Sequence, residues 1–90
     1  MIDTEITVIN KLGLHARATA KLITLTSGFK STIRLGKVGG RMVDGKNMMQ
    51  VMLMGAGKGV VLQLQIEGED EQTVLTAIQD LFNRRFDEGE

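Results

Sequence analysis

The sequence predicts an α+β fold: an open-faced sandwich in which a four-stranded antiparallel sheet carries three helices on one face, in the order β-α-β-β-α-β-α. Three observations predict it. Short segments of strict alternation place apolar residues on one side only, as strands with one wet face require. Two longer segments carry apolar stripes at helical spacing, and such stripes bury themselves against the dry side of a sheet. Ninety residues with no repeat, low-complexity tract or linker leave room for one domain, residues 1–90.

Residues 4–9 form the first predicted strand, with Thr4, Ile6 and Val8 on one face and Glu5 and Thr7 on the other. Gly13 permits a turn before a helix over 16–26, where Ala18, Leu22, Leu25 and Phe29 fall at i, i+4, i+7 and i+11. Ser27-Gly28 predicts its stop, with the glycine as a left-handed cap. Residues 32–37 alternate with Ile33 and Leu35 inward, and Gly39-Gly40 suits a two-residue hairpin returning through 41–44. Residues 46–54 predict a two-turn helix ending at Gly55; a strand is the competing reading. Residues 60–67 alternate most clearly, with Leu62, Leu64 and Ile66 opposite Gln63, Gln65 and Glu67. Residues 69–86 predict the last helix, burying Val74, Ala77, Ile78, Leu81 and Phe82, with acids at its start and Arg84-Arg85 near its end to complement the dipole.

Composition excludes several chemistries. There is no cysteine, so disulfides, thiolate nucleophiles and cysteine zinc sites are out. The single histidine, His15, removes any multi-histidine metal site, and no metal or other cofactor is expected. No Trp or Tyr and only three Phe argue against stacking on nucleic acid. No apolar run is long enough to insert in a membrane, and the N-terminus does not read as a signal peptide, so the cytoplasm is the expected compartment.

The zero net charge conceals an asymmetry. Residues 11–58 hold nine basic side chains against Asp44 alone, a balance of +8, while residues 59–90 carry −6. A fold that kept the basic segment on one side would attract and orient an anionic partner; the competing reading is a scatter of solvated lysines.

Gly55-Ala-Gly57-Lys58-Gly59 is not a phosphate loop. The required glycine is replaced by Met52, and Gly59 stands where Ser or Thr would bind a metal. The carboxylates gather in the last helix and tail, where capping and solvation account for them. His15 is more informative, lying in Leu12-Gly13-Leu14-His15-Ala16-Arg17-Ala18 at the passage from a glycine turn to a helix. Unpaired N–H groups and the helix dipole favour an anion there and disfavour a cationic ring, keeping a ring nitrogen available as nucleophile. Arg17 offers a planar set of donors to a doubly charged group. A structural histidine is the competing reading. Met48, Met49, Met52 and Met54 exceed what two helical turns bury, so some should be exposed as an adaptable docking surface, with Met48 and Val51 filling core.

These segments resemble the HPr family of histidine-containing phosphocarriers of the bacterial phosphotransferase system, over nearly the whole chain. Gly13-Leu14-His15-Ala16-Arg17 is similar to the family's active-site pattern. Gly45-Lys46-Asn47-Met48-Met49 resembles its second helix, and Glu67-Gly68-Glu69-Asp70-Glu71 the approach to its third. Asn10-Lys11-Leu12-Gly13 and the tail Leu81-Phe82-Asn83 with Phe86-Asp87-Glu88 look like the nitrogen-related NPr branch. The resemblance implies a monomeric phosphocarrier, not an enzyme, that takes a phosphoryl group on His15 Nδ1 from enzyme I, itself phosphorylated by phosphoenolpyruvate, and passes it to an IIA protein or domain. Whether the final acceptor serves sugar transport or regulation stays open. Arg17 would be the electrostatic partner of the phosphohistidine, and Ala16, Ala20, Lys21, Lys46, Asn47, Met48, Met49, Met52 and Leu53 the docking face. Two departures stand out. Ala18 replaces the family's usual proline, and Asn47 stands where many members have a regulatory serine, so it can cap a helix but offers no hydroxyl. A non-catalytic regulatory module using the basic, methionine-bearing face is the alternative.

Overall fold

The computed structural model describes residues 1–90. Its elements are β1 (Ile2–Thr7), α1 (Ala16–Thr26), β2 (Thr32–Lys37), β3 (Val43–Asp44), α2 (Met48–Met54), β4 (Val61–Glu67) and α3 (Glu71–Asn83), followed by a 3-10 turn, Arg85–Asp87. The four strands lie in the order β1-β4-β2-β3 and every neighbouring pair is antiparallel. Register aligns the apolar positions: Ile6 faces Leu62, Leu35 faces Leu64 and Ile33 faces Ile66. A slip of one residue would turn all of them to water.

The dry face of the sheet meets Ala18 and Leu22 of α1, Val51 of α2, and Val74, Ile78, Leu81 and Phe82 of α3 in one core. Glu5 and Arg34 are exposed on the opposite face, with Gln63 half-buried, so the sheet is wet on one side as the alternation predicts. Side chains supply the staples between elements. Asp70, at the start of α3, accepts hydrogen bonds from Ser31 Oγ, from Lys30 N at 2.9 Å and from Ser31 N at 3.0 Å. The Ser31 hydroxyl and the Lys30 amide hold its carboxyl below the usual range. Thr26 Oγ1 of α1 donates to Gly45 O at 2.8 Å, fastening the approach to α2.

Several boundaries differ from the sequence reading. The first strand is Ile2–Thr7, although Val8 does point into the core. Gly28 is not a left-handed cap: α1 ends on Ser27 in the right-handed region, and the chain unwinds through the shorter bonds Gly28 N to Leu25 O and Phe29 N to Thr26 O. The hairpin turn is centred one residue early, on Val38-Gly39. There Gly39 supplies the positive φ of 80° and Gly40 N closes on Lys37 O at 2.7 Å. The second helix starts at Met48, because Asn47 caps it by accepting from Gln50 N, and it stops at left-handed Gly55. Met48 is exposed at its first turn; of the pair expected in the core, only Val51 is there.

The largest correction concerns the end of the last helix. It closes at Asn83, not at residue 86, and Arg84-Arg85 do not lie in its last turn. Arg85, Phe86 and Asp87 adopt φ of 55°, 54° and 63°, three consecutive left-handed residues without a glycine. Each such residue costs roughly 1–2 kcal/mol. Burial offsets that strain: Phe86 turns back into the core against Phe82, ring centroids 4.9 Å apart. Truncating a buried phenylalanine typically costs about 3–5 kcal/mol, so the side chain can hold the backbone turn in place.

Candidate functional site

Gly13 sets the entrance to α1. Its φ is 66°, and a Cβ there would lie 2.6 Å from Ala56 O and 2.7 Å from Gly57 Cα, so only glycine fits. Leu14 N donates to Ala56 O at 2.9 Å. The glycine-rich 55–59 loop is therefore the backing of this turn. Thr19 Oγ1 donates to Leu14 O at 3.0 Å, and Thr19 N to His15 O at 2.8 Å. His15 is thereby held as the extended N-cap residue of α1, with no hydrogen bond from its side chain to the helix. The N–H groups of Ala16, Arg17 and Ala18 consequently begin the helix without intrahelical partners.

The ring of His15 is half-buried, and its Nε2 shares a hydrogen bond with Glu88 Oε2. Nδ1 makes none. Glu88 is held from a second side: Asn10 Nδ2 donates to Glu88 Oε1 at 2.9 Å and to Gly13 O at 2.8 Å. Burial raises the Glu88 carboxyl, but the hydrogen bonds from Asn10 and His15, with the positive charge of Lys21, outweigh it and hold the group below its usual value. The tail is anchored around this contact. Lys21 Nζ donates to Phe86 O at 2.9 Å, Asp87 lies 3.5 Å from Lys21, and Lys11 N donates to Glu90 O at 2.8 Å.

Beside His15 opens a cleft of about 660 Å³. Lys11, Arg17 and Lys21 bring positive charge to it, and Ala16 lies in its wall. The exposed Arg17 guanidinium enters no ion pair. Asp87, Glu88 and Glu90 line it as well, Asp87 paired with Lys21 and Glu90 with Lys11. The acidic tail thus comes back onto the basic segment at the histidine. That corrects the expectation that solvation and capping account for the tail carboxylates.

The sequence candidates separate into two groups. His15, Ala16, Arg17 and Lys21 meet at the cleft; no residue of α2 lines it. Ala20 lies on the neighbouring exposed surface of α1. Lys46 is committed to Phe29 O at 2.8 Å and Asn47 to the helix cap. Met49 and Leu53 are 65% and 78% exposed, with Met48 and Met52 less so, giving α2 an apolar outer surface. Asn10 and Glu88 are the site residues that sequence reasoning missed. An asparagine three residues before a turn glycine hints at the first; nothing local signals the second.

A family model described as the PTS HPr component phosphorylation site matches residues 2–84. The chain is 51% identical over 86 residues to the phosphocarrier protein HPr of Pseudomonas aeruginosa, covering 96% of each. It is 46% identical to that of Cupriavidus necator over 90 residues, covering 100% of each. Among solved structures, HPr from Thermoanaerobacter tengcongensis superposes with a TM-score of 0.92 at 36% identity, over 98% of each chain. With a family model spanning nearly the whole chain and full-length relatives at this identity, the chain belongs to the HPr family, phosphocarriers of the phosphotransferase system rather than enzymes.

Proposed function

We propose that residues 1–90 act as one phosphocarrier domain in the cytoplasm, taking a phosphoryl group on His15 Nδ1 from phosphorylated enzyme I and passing it to an IIA protein or domain. The observation that carries this reading is a histidine with a free Nδ1 at a helix start whose first N–H groups are unpaired. In acceptance, the Nδ1 lone pair attacks phosphorus. The bond from phosphorus to the donor breaks, and its electron pair leaves with the donor. Arg17 and the first N–H groups of α1 face the dianionic product, the charge such donors favour. His15, its neighbours and the tail all belong to one chain, so a monomer suffices. The exposed Met49, Met52 and Leu53 give partners an apolar centre, with Lys37 and Arg41 lining the same hollow as Leu53.

The test is to mix the protein with enzyme I and labelled phosphoenolpyruvate. Wild type should gain phosphate that is lost in acid and survives in base, as a phosphoramidate does, and His15→Ala should gain none. If His15→Ala takes up label at the wild-type rate, the reading fails and a regulatory binding module replaces it.

A further inference from the structure

We propose that Glu88 is a positioning residue for His15: it keeps the ring proton on Nε2 and so leaves the lone pair on Nδ1. The inference rests on the phosphocarrier reading for its consequence but on geometry for its substance. The neighbours of Asn10 Nδ2 are a carbonyl oxygen and a carboxylate oxygen, both acceptors. That fixes which way the amide points, and Asn10 Oδ1 is left buried without a partner. An asparagine that gives up its acceptor in this way is there to donate. One of its two hydrogens locks the turn at Gly13 and the other orients Glu88. The remaining carboxylate oxygen faces His15 Nε2, and an ionised carboxylate can only accept, so Nε2 must carry the hydrogen.

The backbone supports this reading independently. Three consecutive non-glycine residues, Arg85 to Asp87, are held left-handed to bring the chain back over α1. Buried Phe86 and the Lys21 bond to its carbonyl secure them. Strain concentrated next to a reactive group points to a role in placing that group. When Nδ1 attacks phosphorus, the Nε2 proton stays on the ring, and Glu88 balances the positive charge that develops there. The same device orients metal-binding and catalytic histidines elsewhere.

Glu88→Gln gives the test a sign. Asn10 still requires an acceptor, so it takes the glutamine oxygen and the amide nitrogen is turned toward His15 Nε2. That arrangement favours a lone pair on Nε2 and the proton on Nδ1. Long-range proton–nitrogen NMR of the unphosphorylated protein in alkaline solution, where imidazole is neutral, reads the tautomer directly. Wild type should be protonated on Nε2, Glu88→Gln on Nδ1, and Glu88→Ala should show a mixture. Label uptake from enzyme I should slow by at least about tenfold in Glu88→Gln and less in Glu88→Ala. A wild-type ring protonated on Nδ1, an unchanged tautomer in folded Glu88→Gln, or reversal without slowing would overturn the proposal. The NMR readout needs no phosphorylation. A failure of wild type to take label would therefore overturn the phosphocarrier reading separately.

Discussion

The first two helices begin in opposite ways. At α2, Asn47 folds its side chain back to accept from Gln50 N at 3.0 Å, and the start is closed from within. At α1, the equivalent position is His15, whose side chain turns away to Glu88. An asparagine cap is worth about 1 kcal/mol, so α1 forgoes a stabilisation that the same chain uses a short distance away. The difference teaches that an N-cap side chain spent on a tertiary contact leaves its helix start open, as also at α3, where Asp70 bonds Ser31 and Lys30 and not its own helix. On the phosphocarrier reading, the unpaired N–H groups of α1 would meet an anion from outside, and His15 is the group on which that anion would be carried.

The largest expected effect comes from making the two starts alike. His15→Asn should close α1 as Asn47 closes α2 and abolish labelling by enzyme I. Stability should stay within about 1 kcal/mol of wild type, because the new cap offsets the lost Glu88 contact. Urea unfolding and labelling of the same sample check both halves. The reciprocal change, Asn47→Ala, opens α2 and should lower stability by about 1 kcal/mol without creating a second phosphorylated position.

Arg17→Ala should come next. It removes positive charge from the mouth of the cleft while leaving Nδ1, so transfer should slow by roughly ten- to a hundredfold and acceptance should persist. Single-turnover labelling by phosphorylated enzyme I measures it. Complete loss would mean that Arg17 does more than stabilise charge.

The start of α1 was legible because the residues that mark it are local, although Ala56 and Gly57 back its turn from across the fold. A glycine turn, a histidine and an arginine two residues on describe the site without tertiary information, and the alternating strands describe the sheet. The tail was not legible. Phe82 and Phe86 are spaced four apart, so the apolar pattern continues as if the helix did. What ends it is the burial of Phe86 by a left-handed turn, which no local pattern signals. Glu88 and His15 are 73 residues apart, and a carboxylate in an acidic tail reads as solvated until the fold brings it back.

That tail should respond to acid. Glu88 is held below its ordinary value of 4.5, and it faces Asn10, His15 and Lys21. Asp87 is held below 3.8, chiefly by the Arg84 hydrogen bond, and it also faces Lys21. A lowered folded value means that the attachment is fully present above the ordinary value and is lost as pH falls through the lowered one. Backbone amide shifts of residues 85–90 should therefore move toward those of a free tail as pH falls below the ordinary carboxylate values. Constant shifts down to pH 2 would show that the burial of Phe86 and the bonds to the Phe86 and Glu90 carbonyls hold the segment without the carboxylates.

The smallest effect is expected where the chain departs from the usual family pattern, and it shows how many of the open donors at α1 are used. Ala18 is the third residue of the helix and fully buried, and its N–H has no intrahelical acceptor. Ala18→Pro removes that donor while leaving those of Ala16 and Arg17. Proline suits the first turn and restricts the unfolded chain, which favours folding by about 0.4–1 kcal/mol. Against that, it disfavours the helical conformation of Arg17 and adds ring atoms at a packed position. The two sides nearly cancel, so the unfolding midpoint should move little. The phosphoryl group carries three oxygens, and two N–H groups with the Arg17 guanidinium can still meet them. Transfer should therefore change by no more than about threefold. A loss of tenfold or more would make the Ala18 N–H a direct phosphoryl ligand, and the open start of α1 would then be used along its full first turn.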